Sequence, residues 1–288
     1  MLKPIGRIFL ALWVGVVGGA LSISVHAYPP APGVTLKGHV RDEYGWLLRE
    51  EGAEVVVRQG TTVIGRAPIT NDVQFEFNYR VNLPVDSNVT GEVYRLGALL
   101  PNSKYTVEVE VGEVIYTPIE TLVGSLPIPE PGKEINLNLT LGDDTDRDGL
   151  PDSWEFWQLQ AGGYAQGDPG YHLGRLGASG DLDGDGLSDL EEFRAGTLAL
   201  LNFSNSNFLL EPISFHSTDL LKFKYYAVRN RSYRIEASTD MENWVHVPTI
   251  LDDPIGPEVQ AWTSNRTGWL ELYALTLGPR TFYRLKIR

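Results

Sequence analysis

Gln74-Phe-Glu-Phe-Asn-Tyr-Arg-Val-Asn-Leu83 alternates polar and apolar residues without a break. A period of two places Phe75, Phe77, Tyr79, Val81 and Leu83 on one face of a strand, and their neighbours on the other. One face buries and the other meets water, as in antiparallel sheets. The same alternation recurs at Val34, Leu36, Gly38 and Val40, at Ala53, Val55 and Val57, at Tyr105 to Val111, and at Ile135 to Leu141. Asp42-Glu-Tyr-Gly45, Asn71-Asp72 and Pro101-Asn102 separate these runs as turns. Residues 34–141 therefore read as an antiparallel β-sandwich. Residues 203–288 return to the same pattern, with candidate strands at Leu220–Ala227, Tyr233–Ala237, Trp244–Val247, Glu258–Trp262, Trp269–Ala274 and Phe282–Ile287. They read as a second, smaller sandwich. The expected fold is mainly β: two antiparallel β-sandwich domains joined by the segment between them, residues 142–200.

That segment has a different composition. Residues 143–192 hold 13 acids against two bases, Arg147 and Arg175, in a chain whose net charge is −13. Asp144-Thr-Asp-Arg-Asp-Gly-Leu-Pro-Asp-Ser-Trp-Glu155 carries acids at positions 1, 3, 5, 9 and 12 of a loop, with Gly149 at position 6. Asp181-Leu-Asp-Gly-Asp-Gly-Leu-Ser-Asp-Leu-Glu-Glu192 repeats every one of those positions 37 residues later. A solvated acidic linker does not explain a repeated six-position pattern. Calcium takes six to eight oxygen ligands in a flexible shell, whereas Mg²⁺ keeps its waters. Two Ca²⁺ ions are thus expected. The first would be held by Asp144, Asp146, Asp148, the Leu150 carbonyl, Asp152 and Glu155. The second would be held by Asp181, Asp183, Asp185, the Leu187 carbonyl, Asp189 and Glu192. Short helices should follow each loop, from Pro151 to about Leu159 and from Leu187 to about Ala195, the second closed by Gly196. The Gly-rich stretch Ala161 to Gly180 reads as loop. Trp154, Trp157, Leu187, Leu190 and Phe193 are expected to form the small apolar core that joins the two units.

An EF-hand has an apolar residue at position 8; here Pro151 and Ser188 stand there, and no amphipathic helix precedes either loop. Each unit is loop-then-helix, which resembles the thrombospondin type 3 and dockerin class of calcium loops. The run from Asp146 through Glu155 and Asp181 through Thr197 resembles a tandem of secreted bacterial proteins, of planctomycete and verrucomicrobial type. In those proteins it often precedes a β-domain with motifs like Tyr233-Arg-Ile-Glu-Ala-Ser-Thr-Asp240 and Phe282-Tyr-Arg284. Gly38-His-Val-Arg-Asp-Glu-Tyr-Gly45 followed by Ala53-Glu-Val-Val-Val57 resembles carboxypeptidase-regulatory-like sandwiches. The resemblance implies calcium and export; it implies no particular activity.

Residues 1–27 read as a signal peptide: Lys3 and Arg7, an uncharged run from Ile8 to Val25, then Val25-His26-Ala27. Gly15, Gly18, Gly19, Ser22 and Ser24 argue against a retained anchor. Cleavage would leave Tyr28 as the first residue, which an intact-mass measurement of the exported product reads directly, and no membrane span beyond it. The mature chain would lose two cations and carry −15, which disfavours nucleic acid. There is no cysteine, so an exported chain would be stapled by something other than disulfides. His39, His172, His216 and His246 are scattered, and no nucleophile elbow, P-loop or dinucleotide fingerprint occurs. The expectation is a non-enzymatic, secreted or cell-surface calcium-binding structural or adhesive protein. Its rivals are a glycan-binding accessory module, for which Trp244, Trp262 and Trp269 should form an exposed row, and a dockerin-like docking module. Its partner would be a cell-surface polysaccharide or protein.

Overall fold

A computed structural model describes residues 31–70, 76–86, 97–100, 103–122, 124–201 and 210–287. Ala31–Arg288 forms one compact unit. The fold is mainly β, with two α-helices among the described residues. Among these residues no helix is long and apolar enough to cross a membrane.

The strand Val34–Gly38 pairs antiparallel with Tyr79–Leu83. Facing them is a sheet in the order Thr62–Pro68, Glu54–Gln59, Lys104–Val111, Val114–Tyr116. Val34, Leu36, Val55, Val57, Tyr79, Val81, Val107 and Val109 close one core between the two layers. The alternating positions of each strand supply it, so period two is the physical origin of the sandwich. Of the run from Gln74, Tyr79–Leu83 is the strand, while residues 71–75 lie outside the described residues.

Not every pairing is antiparallel. Glu134–Asn136 lies parallel to Val34–Gly38, and Leu139–Thr140 lies parallel to Val40–Arg41. The last strand therefore leaves this sandwich at the same end as the first. An antiparallel return would have sent residue 142 to the opposite end. Instead Gly142 abuts Glu43, where a side chain on the glycine would come within 2.9 Å of the Glu43 Cβ. The parallel ladder is what sets the turn Asp42–Trp46 beside the acidic segment.

The C-terminal sandwich has one sheet in the order Glu211–Phe215, Leu220–Ala227, Gly268–Leu275, Thr249–Leu251, Glu258–Val259. Its other sheet centres on Ser232–Ser238, paired with Val245–His246, Trp262–Thr263 and Phe282–Ile287. Tyr225, Tyr233 and Trp262 pack with ring centroids 5.2 to 6.0 Å apart. The Trp262 indole donates to the Tyr225 hydroxyl at 2.6 Å. Trp262 is thus a core residue, 8% exposed. The Trp244 ring is covered by the Arg284 guanidinium and Trp269 lies under Lys224. These three tryptophans do not form one exposed row.

Between the sandwiches, α1 (Asp152–Ala161) and α2 (Asp189–Ala195) share a small core of Leu150, Trp154, Leu176, Phe193 and Ala199. Trp154 meets Phe193 edge-on at 5.5 Å. Leu190 packs against this cluster, but Trp157 points outward and Leu187 lies half-buried outside it. On a helix, positions three apart share a side only approximately, and the expected core of five is smaller by these two. Buried Gln158 completes the clamp: its amide donates to the Thr197 carbonyl at 3.1 Å and accepts from the Ala199 amide at 3.0 Å.

At Gly38 the first strand of the N-terminal sandwich runs close against the backbone of Leu137. A Cβ there would fall 2.1 Å from the Leu137 carbonyl oxygen. Gly38→Ala is expected to lower stability by about 1–3 kcal/mol, read from urea midpoints. An unchanged midpoint would contradict this close approach.

Candidate metal centre

Each acidic loop is folded by its own backbone amides, and the two loops use the same bonds. The carboxylate at position 1 accepts from the amides at positions 5 and 6: Asp144 from Asp148 (3.2 Å) and Gly149 (3.1 Å), Asp181 from Asp185 and Gly186 (both 3.1 Å). Oδ1 at position 5 accepts from the amide at position 7: Asp148 from Leu150, Asp185 from Leu187, each at 2.9 Å. The amide at position 9 donates to the carbonyl just before position 1: Asp152 to Asp143 and Asp189 to Gly180. The chain bends through left-handed backbone at position 4, Arg147 (φ 63°) and Gly184 (φ 73°), and again at the position-6 glycines, Gly149 (φ 97°) and Gly186 (φ 95°). Glycine adopts that conformation without a Cβ clash.

This curl brings Asp144, Asp146 and Asp148 together, and likewise Asp181, Asp183 and Asp185. In each triad one carboxylate oxygen per residue lies within 4.8 Å of the others. These two triads could hold metal ions. The donors are all oxygen, which suits a hard divalent cation. The observation that best fits a cation is Glu155. It is fully buried, and both of its carboxylate oxygens lack a hydrogen-bond partner among the described residues, as does Oδ2 of Asp148. Buried carboxylates without partners are strongly disfavoured unless a cation or a proton meets them.

The other expected ligands are placed as follows. Glu192 is fully buried and accepts from the Thr197 hydroxyl at 3.2 Å. Leu150 sits in the apolar core and Leu187 is half-buried, both at the entry to a helix. Asp152 and Asp189 stand outside the triads and tie each loop to itself. Asp152 accepts from the Thr145 amide (2.8 Å) and hydroxyl (2.5 Å). Asp189 accepts from the Leu182 amide (3.3 Å) and the Gly177 amide (2.9 Å). A cation would reach these two only through their remaining lone pairs or through water.

Sequence reasoning missed the part played by the intervening loop. A side chain at Gly174 would come 3.3 Å from Asp146 Oδ2, one at Gly177 would come 3.4 Å from Asp148 Oδ2, and one at Gly180 would come 2.7 Å from Asp189 Oδ2. The glycine ladder 174, 177, 180 thus lies against the carboxylates of the first loop and leads to the second. The three-residue spacing was the available signal. At the second loop Ser188 caps α2: its hydroxyl accepts from the Glu191 amide, and its own amide donates to the Glu191 carboxylate.

Burial, and after it the crowding of like charges, shows in the acid strengths. Burial, then Asp148, Asp146 and Asp152, push the Glu155 carboxyl up to about 8. Burial, then neighbouring Asp146, Asp144 and Asp189, raise Asp148 to about 6 despite its bond from the Leu150 amide. Burial also raises Asp183 and Asp189.

Between the ordinary carboxylate range and about pH 8, the metal-free folded protein retains protons that the unfolded chain has released. Stability of the chelated protein should therefore fall as pH rises through that window. Thermal melts at pH 5 and pH 8 check this: with chelator the pH 8 midpoint is expected to be the lower, and excess calcium should remove the difference. A chelated protein that gains stability toward pH 8 would contradict the crowding. No protein-family model, curated protein or solved structure matches this chain, so the chemistry of the centre is read from its own residues.

Proposed function

We propose that this is an exported, calcium-binding structural or adhesive protein in which two Ca²⁺ ions fix the geometry between two β-domains. The observation that carries the reading is Arg231. It is 1% exposed and belongs to the C-terminal sandwich. Its Nε donates to the Ala195 carbonyl at 3.1 Å, its Nη2 to the Phe193 carbonyl at 3.4 Å, and its Nη1 to the Gly45 carbonyl at 2.6 Å. The first two carbonyls end α2, the helix that carries Glu192. The third belongs to the turn of the N-terminal sandwich. Burial lowers the guanidinium to about 10, so it stays charged at neutral pH. A cation at a helix C-terminus is favoured by the helix dipole.

Two glycines make the contact close. Gly45 (φ 79°) has the Phe193 carbonyl 2.6 Å from where its Cβ would be, and Gly196 (φ 80°) has the Arg231 guanidinium at 2.7 Å. So the position of α2 sets the position of both sandwiches. Alone, a seven-residue helix beside a cluster of carboxylates is unstable. Calcium would neutralise the loops and pin Glu155 and Glu192, taking the place that disulfides hold in many exported proteins. Mg²⁺ keeps several waters and usually takes only one or two carboxylates, so three carboxylates in each triad favour Ca²⁺.

Calorimetry is expected to count two ions per chain, with Asp148→Ala and Asp185→Ala each removing about one. Limited proteolysis with chelator should cut first between Asp143 and Gly196 and release two folded β fragments. Zero calcium bound to the intact protein would sink the reading. So would a chelated protein cut no faster in that segment, or one whose β-domains unfold together with it.

A further inference from the structure

Where the turn Asp42–Trp46 meets α1 and Arg231, the surface opens into a cavity of about 400 Å³ lined by Tyr44, Trp46, Trp154, Trp157, Gly196 and Arg231. Tyr44 is 43%, Trp46 39% and Trp157 45% exposed, while Trp154 is buried. Exposed aromatics scattered singly need no explanation. Here four aromatic side chains, from two stretches more than a hundred residues apart, converge on one concavity where the N-terminal turn, α1 and the C-terminal sandwich meet. Ligand sites favour such boundaries, and Trp, Tyr and Arg dominate binding energetics.

The walls are already held in place. Asp42 Oδ1 accepts from the Tyr44 amide (3.0 Å) and the Trp46 amide (2.9 Å), and the Asp42 amide donates to the Trp46 carbonyl. The Arg231 guanidinium stacks on the Trp46 ring at 4.4 Å. Gly45, between the two aromatics, is lodged against Phe193. A ligand would meet a preformed turn and a Trp46 ring already covered on one side, whose ordering does not have to be supplied by binding.

We propose that this cavity binds a pyranose ring of an oligosaccharide or polysaccharide. A pyranose presents C–H faces that lie flat on aromatic rings and a rim of hydroxyls that bond in the ring plane. The cavity offers both halves of that pattern, since Trp and Tyr join an apolar body to a polar edge. The Trp46 and Trp157 indole N–H groups and the Tyr44 hydroxyl are not committed to any other described residue. An aliphatic ligand would cover these donors without satisfying them, which is costly. A small bare anion would use the donors and leave the ring faces unfilled. Apart from Trp154, the cavity is lined by residues outside the two acidic loops. It is assembled from elements that calcium is proposed to hold, so calcium dependence of binding rests on the function proposed above.

The test uses the mature chain, residues 28–288, with calcium. It is titrated with cello-, xylo-, manno- and chitohexaose and a hexameric polyuronate, followed by tryptophan fluorescence and calorimetry. At least one should bind with Kd on the order of 1 mM or tighter. Trp157→Ala should weaken it at least about tenfold with an unchanged melting temperature, and Trp157→Tyr, which keeps a stacking ring, should recover most of the loss. Trp269→Ala, an exposed tryptophan elsewhere, should bind like the parent. Absence of binding to every sugar, or a Trp157→Ala variant that binds like the parent, overturns the proposal. Loss of binding on chelation supports both cavity and calcium joint. Binding that survives chelation but not Trp157→Ala leaves the cavity standing and removes the joint.

Discussion

The structure depends on one buried guanidinium. Arg231 reaches from the C-terminal sandwich to the end of α2 and to the turn of the N-terminal sandwich, and satisfies one backbone carbonyl in the turn and two at the helix end. Backbone carbonyls buried at a helix end need partners, and a buried guanidinium needs acceptors. Each solves the other's problem only if all three parts stand in register. That register is set on one side by the parallel ladder that returns residue 141 beside the turn at residue 42. On the other side lie the acidic loops from which the two helices start.

The two loops are alike in their internal bonds and unlike in what surrounds them. Glu155 has no hydrogen-bond partner for either oxygen, while Glu192 accepts from Thr197. Gly174 and Gly177 lie against the first loop and carry the chain toward the second. The Gly177 amide donates to Asp189, whose charge in turn raises Asp148. The loops therefore share electrostatics through the glycine segment, and filling one should ease filling of the other by removing repulsion.

What was legible in the sequence was what repeats at short range. Period two identified the sandwich strands, and strand bounds such as Leu220–Ala227 and Phe282–Ile287 match the runs read from it. Thr62–Pro68 was not read, because its alternation is broken by Gly65 and Pro68; pairing with Glu54–Gln59 makes it a strand. Glu211–Phe215 was missed for a similar reason, being an edge strand with little burial. In the acidic segment, Asp and Gly spacing located both triads. It could not show which neighbouring amide each carboxylate also holds; Asp152 and Asp189 accept from the amides of Thr145 and Leu182. The parallel ladder, the Gly174–Gly180 contacts and Arg231 are all long-range, and a local pattern carries no trace of them. Trp262, which the glycan-binding rival required outside, is in the core, and Trp157, expected in the core, is outside.

The central claim is that metal in the loops fixes the relation of the two sandwiches through α2. The chain has no cysteine, so Thr61→Cys and Glu242→Cys, both at exposed positions, place one spin label on each sandwich without interference. Pulsed dipolar spectroscopy then reads the distance distribution between them. A single narrow distribution with calcium that broadens on chelation and narrows again when calcium is restored is the expected result. A distribution of equal width with and without calcium would contradict it.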